Sequence, residues 1–163
     1  MVKFILTVNP RAGFESAVFD KINEVFGNPF MSQIEQLSDF YLVLDFTEEN
    51  VKKVASFQDF DGIIDLQLTP AEIVKSEQIK AVDKEDYYII FVQAECGKHE
   101  QTMQNLLSCD KVKVRNAGYF FDNRADIILE VLSADGATKL INDIREIDGV
   151  EDTILYTLPH TYE

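Results

Sequence analysis

The chain reads as an α+β protein in which the order strand, helix, strand, strand, helix, strand runs twice in succession. Three observations predict it. Apolar runs of strand composition alternate with segments of helical period in the same order on either side of a polar stretch. Glycines mark corresponding turns, Gly13 with Gly97 and Gly62 with Gly149, and Pro70 falls near the place of Pro159. The strand-like runs at 40–44 and 87–92 are apolar throughout, which calls for cover on both faces of a sheet.

Taken in order, residues 2–8 are an apolar run rich in β-formers, and Asn9-Pro10-Arg11-Ala12-Gly13 is a turn. From Phe14 a helical period places Val18, Ile22 and Val25/Phe26 on one face, and Gly27-Asn28-Pro29 ends it. Residues 31–37 give a weak strand and 40–46 a strong one. Thr47 is the N-cap of a second helix, with Glu48 and Glu49 at its positive end and Val51, Val54, Ala55 and Phe57 facing inward. Asp61-Gly62 turns the chain into a strand at 63–69. The second half repeats this. A strand at 87–94 leads through Glu95-Cys96-Gly97-Lys98 into a helix with Met103, Leu106 and Leu107 inward. A weak strand at 111–117 and a strong one at 126–132 follow. Ser133 is expected to cap a helix striped by Ala137, Leu140, Ile141, Ile144 and Ile147, and Asp148-Gly149 turns into the strand 150–158. Each half has the ferredoxin-like βαββαβ order. The expected units are 1–70 and 86–163, with a polar connector at 71–85.

A half of this size buries little surface alone, and its two helices cover only one face of its sheet. The helix-free faces are therefore expected to meet, or the sheets to share an edge, about a pseudo-two-fold axis, as an α+β barrel. Each Å² of apolar area so buried contributes about 25 cal/mol.

Composition narrows the function classes. Fifteen basic residues against 29 acidic give a net charge of −14, about −6 over 1–80 and about −8 over 81–163. An evenly acidic chain repels phosphate backbones, so no direct DNA binding is expected. No run approaches the ~18 apolar residues of a membrane span, and the N-terminal residues lack the parts of a signal peptide. Two cysteines, Cys96 and Cys109, make no disulfide framework. A cytoplasmic protein with no membrane partner is expected.

The second half resembles a known family. Glu95-Cys96-Gly97-Lys98-His99-Glu100 after an apolar strand, the run 126–131 after a glycine-containing loop, and the closing stretch 144–153 together are similar to the effector-binding domain of the leucine-responsive (Lrp/AsnC) regulators. The likeness covers about 86–158. The first half matches through Asn9-Pro10, Gly13-Phe14-Glu15 and Phe60-Asp61-Gly62-Ile63. The resemblance implies a dimeric α+β barrel module that binds amino acids or similar small effectors and assembles into higher oligomers. The family's DNA-binding helix-turn-helix has no counterpart here. It also implies ligand contacts at Gly118 and Asp126, with Asp39 at the matching place in the first half; Tyr119, Phe121 and Arg124 are further ligand-binding candidates on their own chemistry, not through the resemblance. Here seven residues separate Gly118 from Asp126, where the family has about two.

Other chemical candidates are sparse. Cys96-x-x-His99 supplies two soft ligands, but Cys109 lies about 15 Å along the helix, so no metal is expected. His99 and His160 could serve as general bases, without a supporting triad spacing. No phosphate loop is present, and no motif calls for a cofactor. Lys111, Lys113 and Arg115 alternate on one strand. That pattern is either an edge strand's protection against pairing or a site for a carboxylate or phosphate, with Arg124 beside it. Tyr119-Phe120-Phe121 is core filler or a pocket wall.

The favoured reading is a stand-alone, non-enzymatic regulatory module that binds a small effector and acts through homo-oligomers or a regulator protein. The alternative is a small enzyme of the dimeric α+β barrel type, a monooxygenase or isomerase, using His99 or Tyr88. A third reading comes from the opening residues 9–15, which are similar to the start of RNA-modification THUMP domains, against the net charge.

Overall fold

The computed structural model of the chain describes residues 2–27, 31–33, 39–122 and 125–158, with the side chains of 31–33 and 122 outside that set. The elements are β1 (Val2–Pro10), α1 (Glu15–Phe26), β2 (Met31–Gln33), β3 (Phe40–Asp45), α2 (Glu48–Phe57), β4 (Ile63–Ser76), β5 (Asp86–Ala94), α3 (His99–Ser108), β6 (Lys113–Asp122), β7 (Ala125–Ser133), α4 (Ala137–Arg145) and β8 (Val150–Leu158). The strands form one eight-stranded antiparallel sheet in the order β2-β3-β1-β4-β6-β7-β5-β8. The first four and the last four follow the same permutation, and the β4–β6 ladder joins them.

The likeness between halves extends to single hydrogen bonds. The Arg11 N–H donates to the Gly62 carbonyl at 2.8 Å, and the Glu95 N–H donates to the Gly149 carbonyl at 2.8 Å. The register of β1 on β4 slips between Asn9 and Pro10, and that of β5 on β8 slips between Gln93 and Ala94. Gly13 and Gly97 turn the chain at φ +86° and +81°, a left-handed conformation that a side chain would strain. Sequence and geometry thus agree on where each first strand bends into its helix.

Three apolar layers hold the molecule. Phe4, Ile22, Leu42 and Phe57 pack helices on sheet in the first half, and Ile90, Leu106, Leu129 and Ile144 do so in the second. The third layer draws on both halves. Ile5 and Ala71 join Ile89, Phe120, Ile128 and Leu158 on the helix-free face. Tyr41 on β3 and Glu130 on β7 lie four strand positions apart in the sheet, about 19 Å if it were flat. Both line the same cavity, so the sheet curls onto its helix-free side.

Several boundaries differ from the sequence reading. β4 continues through Ser76, and residues 71–76 pair with β6 instead of opening the connector, which leaves 77–85 to link the halves. The stretch after Gly118, expected as a loop, is strand to Asp122 and forms a hairpin with β7. Its aromatic alternation explains this, with Phe120 buried and Phe121 63% exposed. Ser133 does not cap α4. Its hydroxyl accepts from the Asp135 N–H at 3.2 Å, and Gly136 takes the N-cap position. Thr47 does cap α2, accepting from the Asn50 N–H at 3.1 Å. Among the described residues no helix is long and apolar enough to cross a membrane.

Candidate functional site

β6 carries basic residues but is no edge strand; it lies between β4 and β7. An irregularity decides where those residues go. Val114 pairs with Val131 and Asn116 with Glu130, so Arg115 is an extra residue in the ladder. Such a bulge re-aims side chains. Lys113 goes outward to Glu85, at 3.2 Å, while Arg115 and Asn116 both reach Glu130. The opposing strand slips close by, between Ile73 and Lys75, which pair with Gly118 and Ala117. Gly118 sits beside this seam. A Cβ there would come within 2.9 Å of the Glu72 carbonyl oxygen and 3.0 Å of Ile73, so the close approach of β4 and β6 requires its absence.

The result is a buried polar cluster. Arg115 Nε lies 3.6 Å from Glu130 Oε1, and the Asn116 amide donates to Glu130 Oε2 at 2.9 Å. Glu130 is 4% exposed and Arg115 9%. The guanidinium lies 4.9 Å from the centre of the Tyr87 ring, a cation–π arrangement. The Tyr87 hydroxyl accepts from the Ala81 N–H at 2.7 Å, tying the connector to the same ring. Burial pushes the Glu130 carboxyl above its ordinary value, and Arg115 and the Asn116 hydrogen bond draw it partly back. Burial, and then the charge of Glu130, raises the Tyr41 phenol.

The cluster borders a cavity of about 380 Å³. Val43, Ile73, Ile79 and Ile128 give it apolar walls, Tyr41, Arg115, Asn116 and Glu130 a polar end, and Lys3, Glu77 and Lys80 also border it. Lys3 is itself paired with Asp45 at 2.7 Å. Apolar walls with a few convergent polar groups are the usual form of a small-molecule pocket.

Of the residues singled out in the sequence, Gly118 lines this cavity. Tyr119 packs against the helix-side core of the second half, and Phe121 is exposed. Asp126 accepts from the Ala94 N–H at 3.0 Å and lies 3.4 Å from His99 Nε2; neither it nor His99 borders the cavity. Asp39 precedes β3 and is likewise absent from the cavity wall. Tyr88 belongs to the helix-side core. Arg124 and His160 lie outside the described residues. Sequence reasoning missed Glu130 and Tyr41. The available signal was a carboxylate inside a strand expected to be covered on both faces, hence a buried charge.

No family model matches the chain, and no curated protein matches it. Solved structures do. A proposed monooxygenase from Lactobacillus acidophilus NCFM aligns with TM-score 0.60 at 10% identity, over 97% of this chain and 92% of that one. Another, from Fusobacterium nucleatum, aligns with TM-score 0.53 at 12% identity, over 96% and 90%. The siroheme decarboxylase NirDL aligns with TM-score 0.65 at 5% identity, over 97% and 71%. At these identities the likeness is one of fold.

Proposed function

We propose that the chain is a small-molecule-binding module. Two ferredoxin-like units in tandem, the first running through the end of β4 at Ser76 and the second from 86, close as an α+β barrel, and the cavity between their helix-free faces takes the ligand. The observation that carries this reading is a buried Arg115–Glu130 pair bordering open volume. Burying two charges costs several kcal/mol each, and a fold gains little from them without a further use. The matched turns, bulges and strand orders of the halves support the tandem. Ligand binding would act on assembly through the barrel's outer strands, with a second copy or a regulator protein as partner. The test is a thermal-shift screen of amino acids, organic acids and uncharged small molecules. At least one stabilising compound is expected, and its effect should vanish when Val43→Phe fills the cavity. Flat melting across the panel overturns the reading.

An enzymatic reading of the same cavity draws on two observations. The fold matches two proposed monooxygenases, and Glu130 and Tyr41 offer protons at the polar end. Incubating each stabilising compound with the protein in air, followed by mass spectrometry, separates the two. Turnover that Glu130→Gln removes favours the enzyme, and unchanged compound favours the binding module.

A further inference from the structure

Resting on the reading of the cavity as a ligand site, we propose that its occupant is an amphipathic carboxylic acid, held through its carboxylate by Arg115 and sharing one proton with Glu130. Sign is the first argument. The chain carries a net charge of −14, yet Lys3, Lys80 and Arg115 all border this one cavity against two acids, Glu77 and Glu130. Outside the wall, Asp45 pairs with Lys3 at 2.7 Å and Lys75 with Glu77 at 3.5 Å; these two partners cancel, and the wall keeps its excess of one positive charge. The local field at the cavity therefore runs opposite to that of the molecule and favours an anion.

Shape is the second argument. The guanidinium is a planar fork that matches a carboxylate, and Asn116 adds an amide beside it. The apolar walls begin at once with Val43, Ile73 and Ile128. One charged end and an apolar body describe an organic acid. A phosphate would bring up to two charges against Glu130 and three oxygens to satisfy.

Glu130 supplies the third argument. A ligand carboxylate placed on the guanidinium stands next to a second, buried carboxylate. Two such groups in one dry site do not both stay ionised, so the pair takes up one proton from solvent on binding. The groups facing Glu130 are Arg115 and Asn116 from β6 and Tyr41 from β3. Tyr41 stays a neutral phenol, because burial and Glu130 both raise it. Ile89 pairs with Glu130 in the ladder from β5 and brings no charge. Lys3, from β1, and Glu77 and Lys80, from the connector, are the other charged groups on the cavity. Glu130, already shifted toward its protonated form by burial, is the group that takes the proton.

The experiment is calorimetric titration with 3-phenylpropanoate and hexanoate, their amides, and inorganic phosphate, in two buffers of different ionisation enthalpy. The acids are expected to bind at least tenfold tighter than the amides, with about one proton taken up per acid. Their Kd should rise about tenfold per pH unit between the pKa of Glu130 in the empty cavity and its higher value beside the ligand. Glu130→Gln should keep binding but abolish the proton uptake and the pH slope. Arg115→Lys should weaken the acids tenfold or more. Equal binding of acids and amides, preference for phosphate, or zero proton uptake by the unaltered protein overturns the inference; the last result decides even if the variants fail to fold. An uncharged compound that binds and is excluded by Val43→Phe, with no acid binding, removes this inference and leaves the cavity reading intact. Binding by no compound of any class removes both.

Discussion

Val43 and Glu130 hold the same place in the two halves. Val43 pairs with Ile5 and Glu130 with Ile89, at matching steps of the ladders β1–β3 and β5–β7. Tyr41 and Ile128 correspond in the same way. All four line the same cavity, so matching positions of the two halves meet there. The frames agree down to single turns, but the chemistry does not. The second half contributes a buried charge where the first contributes an apolar wall. Two identical halves would place a carboxylate at both positions of the same cavity. Because the halves differ in sequence here, the cavity carries a buried carboxylate at one of the matching positions and an apolar side chain at the other.

The sharpest test of this equivalence lies in the helix-side cores. Leu42 and Leu129 are both fully buried at matching positions. Leu42→Ala and Leu129→Ala should each destabilise the protein by about 3 kcal/mol in urea unfolding. A cost below about 1 kcal/mol in one half only would break the comparison.

Where the halves differ, the effects should differ. Arg115→Met leaves Glu130 buried without its guanidinium and should cost about 2 kcal/mol, less than a stranded charge would, because Glu130 can take up a proton instead. Adding Glu130→Leu should recover most of that loss. Val43→Leu, at the corresponding place in the first half, should stay within about 1 kcal/mol. These values follow from denaturant midpoints at constant slope.

Gly118 has Ser32 as its counterpart, since Gly118 pairs with Ile128 as Ser32 does with Tyr41. Gly118→Ala should cost about 1–2 kcal/mol by pushing β4 away from β6, and should weaken any ligand of the cavity. Gly13→Ala and Gly97→Ala meet no neighbouring atom within 4 Å, so each should lose only the backbone term, about 1 kcal/mol, and by the same amount.

The smallest effect is one of pH. Glu130 binds its proton more tightly in the folded chain than in the unfolded one, so folding is favoured while Glu130 is protonated. Stability should decline as pH rises from the ordinary carboxylate value through the raised one, and then level off. Glu130→Gln should remove that decline in melting curves taken across the range. An unchanged profile would place the titration elsewhere.

The sequence made the periodic parts legible. Strand and helix order, the glycine turns and Thr47 as a cap all depend on neighbours within a few residues, and local sterics and hydrogen bonding decide them. So did the inference that strands apolar on both faces need cover. The β6 hairpin was missed because its aromatics fit a loop wall and a strand equally well until a partner strand is known.

What only the tertiary structure decided is the site. Arg115 and Glu130 read as two charges in two different strands, one as edge protection or an anion site and the other unremarked. Whether a strand is central or at an edge, and where a ladder slips by one residue, depends on pairing across the whole chain. The curl that brings Tyr41 within electrostatic reach of Glu130 depends on it too. Residue order fixes what each segment prefers, because those preferences are short-ranged. Which side chains share a cavity is a long-range outcome of how the strands pair and the sheet curls.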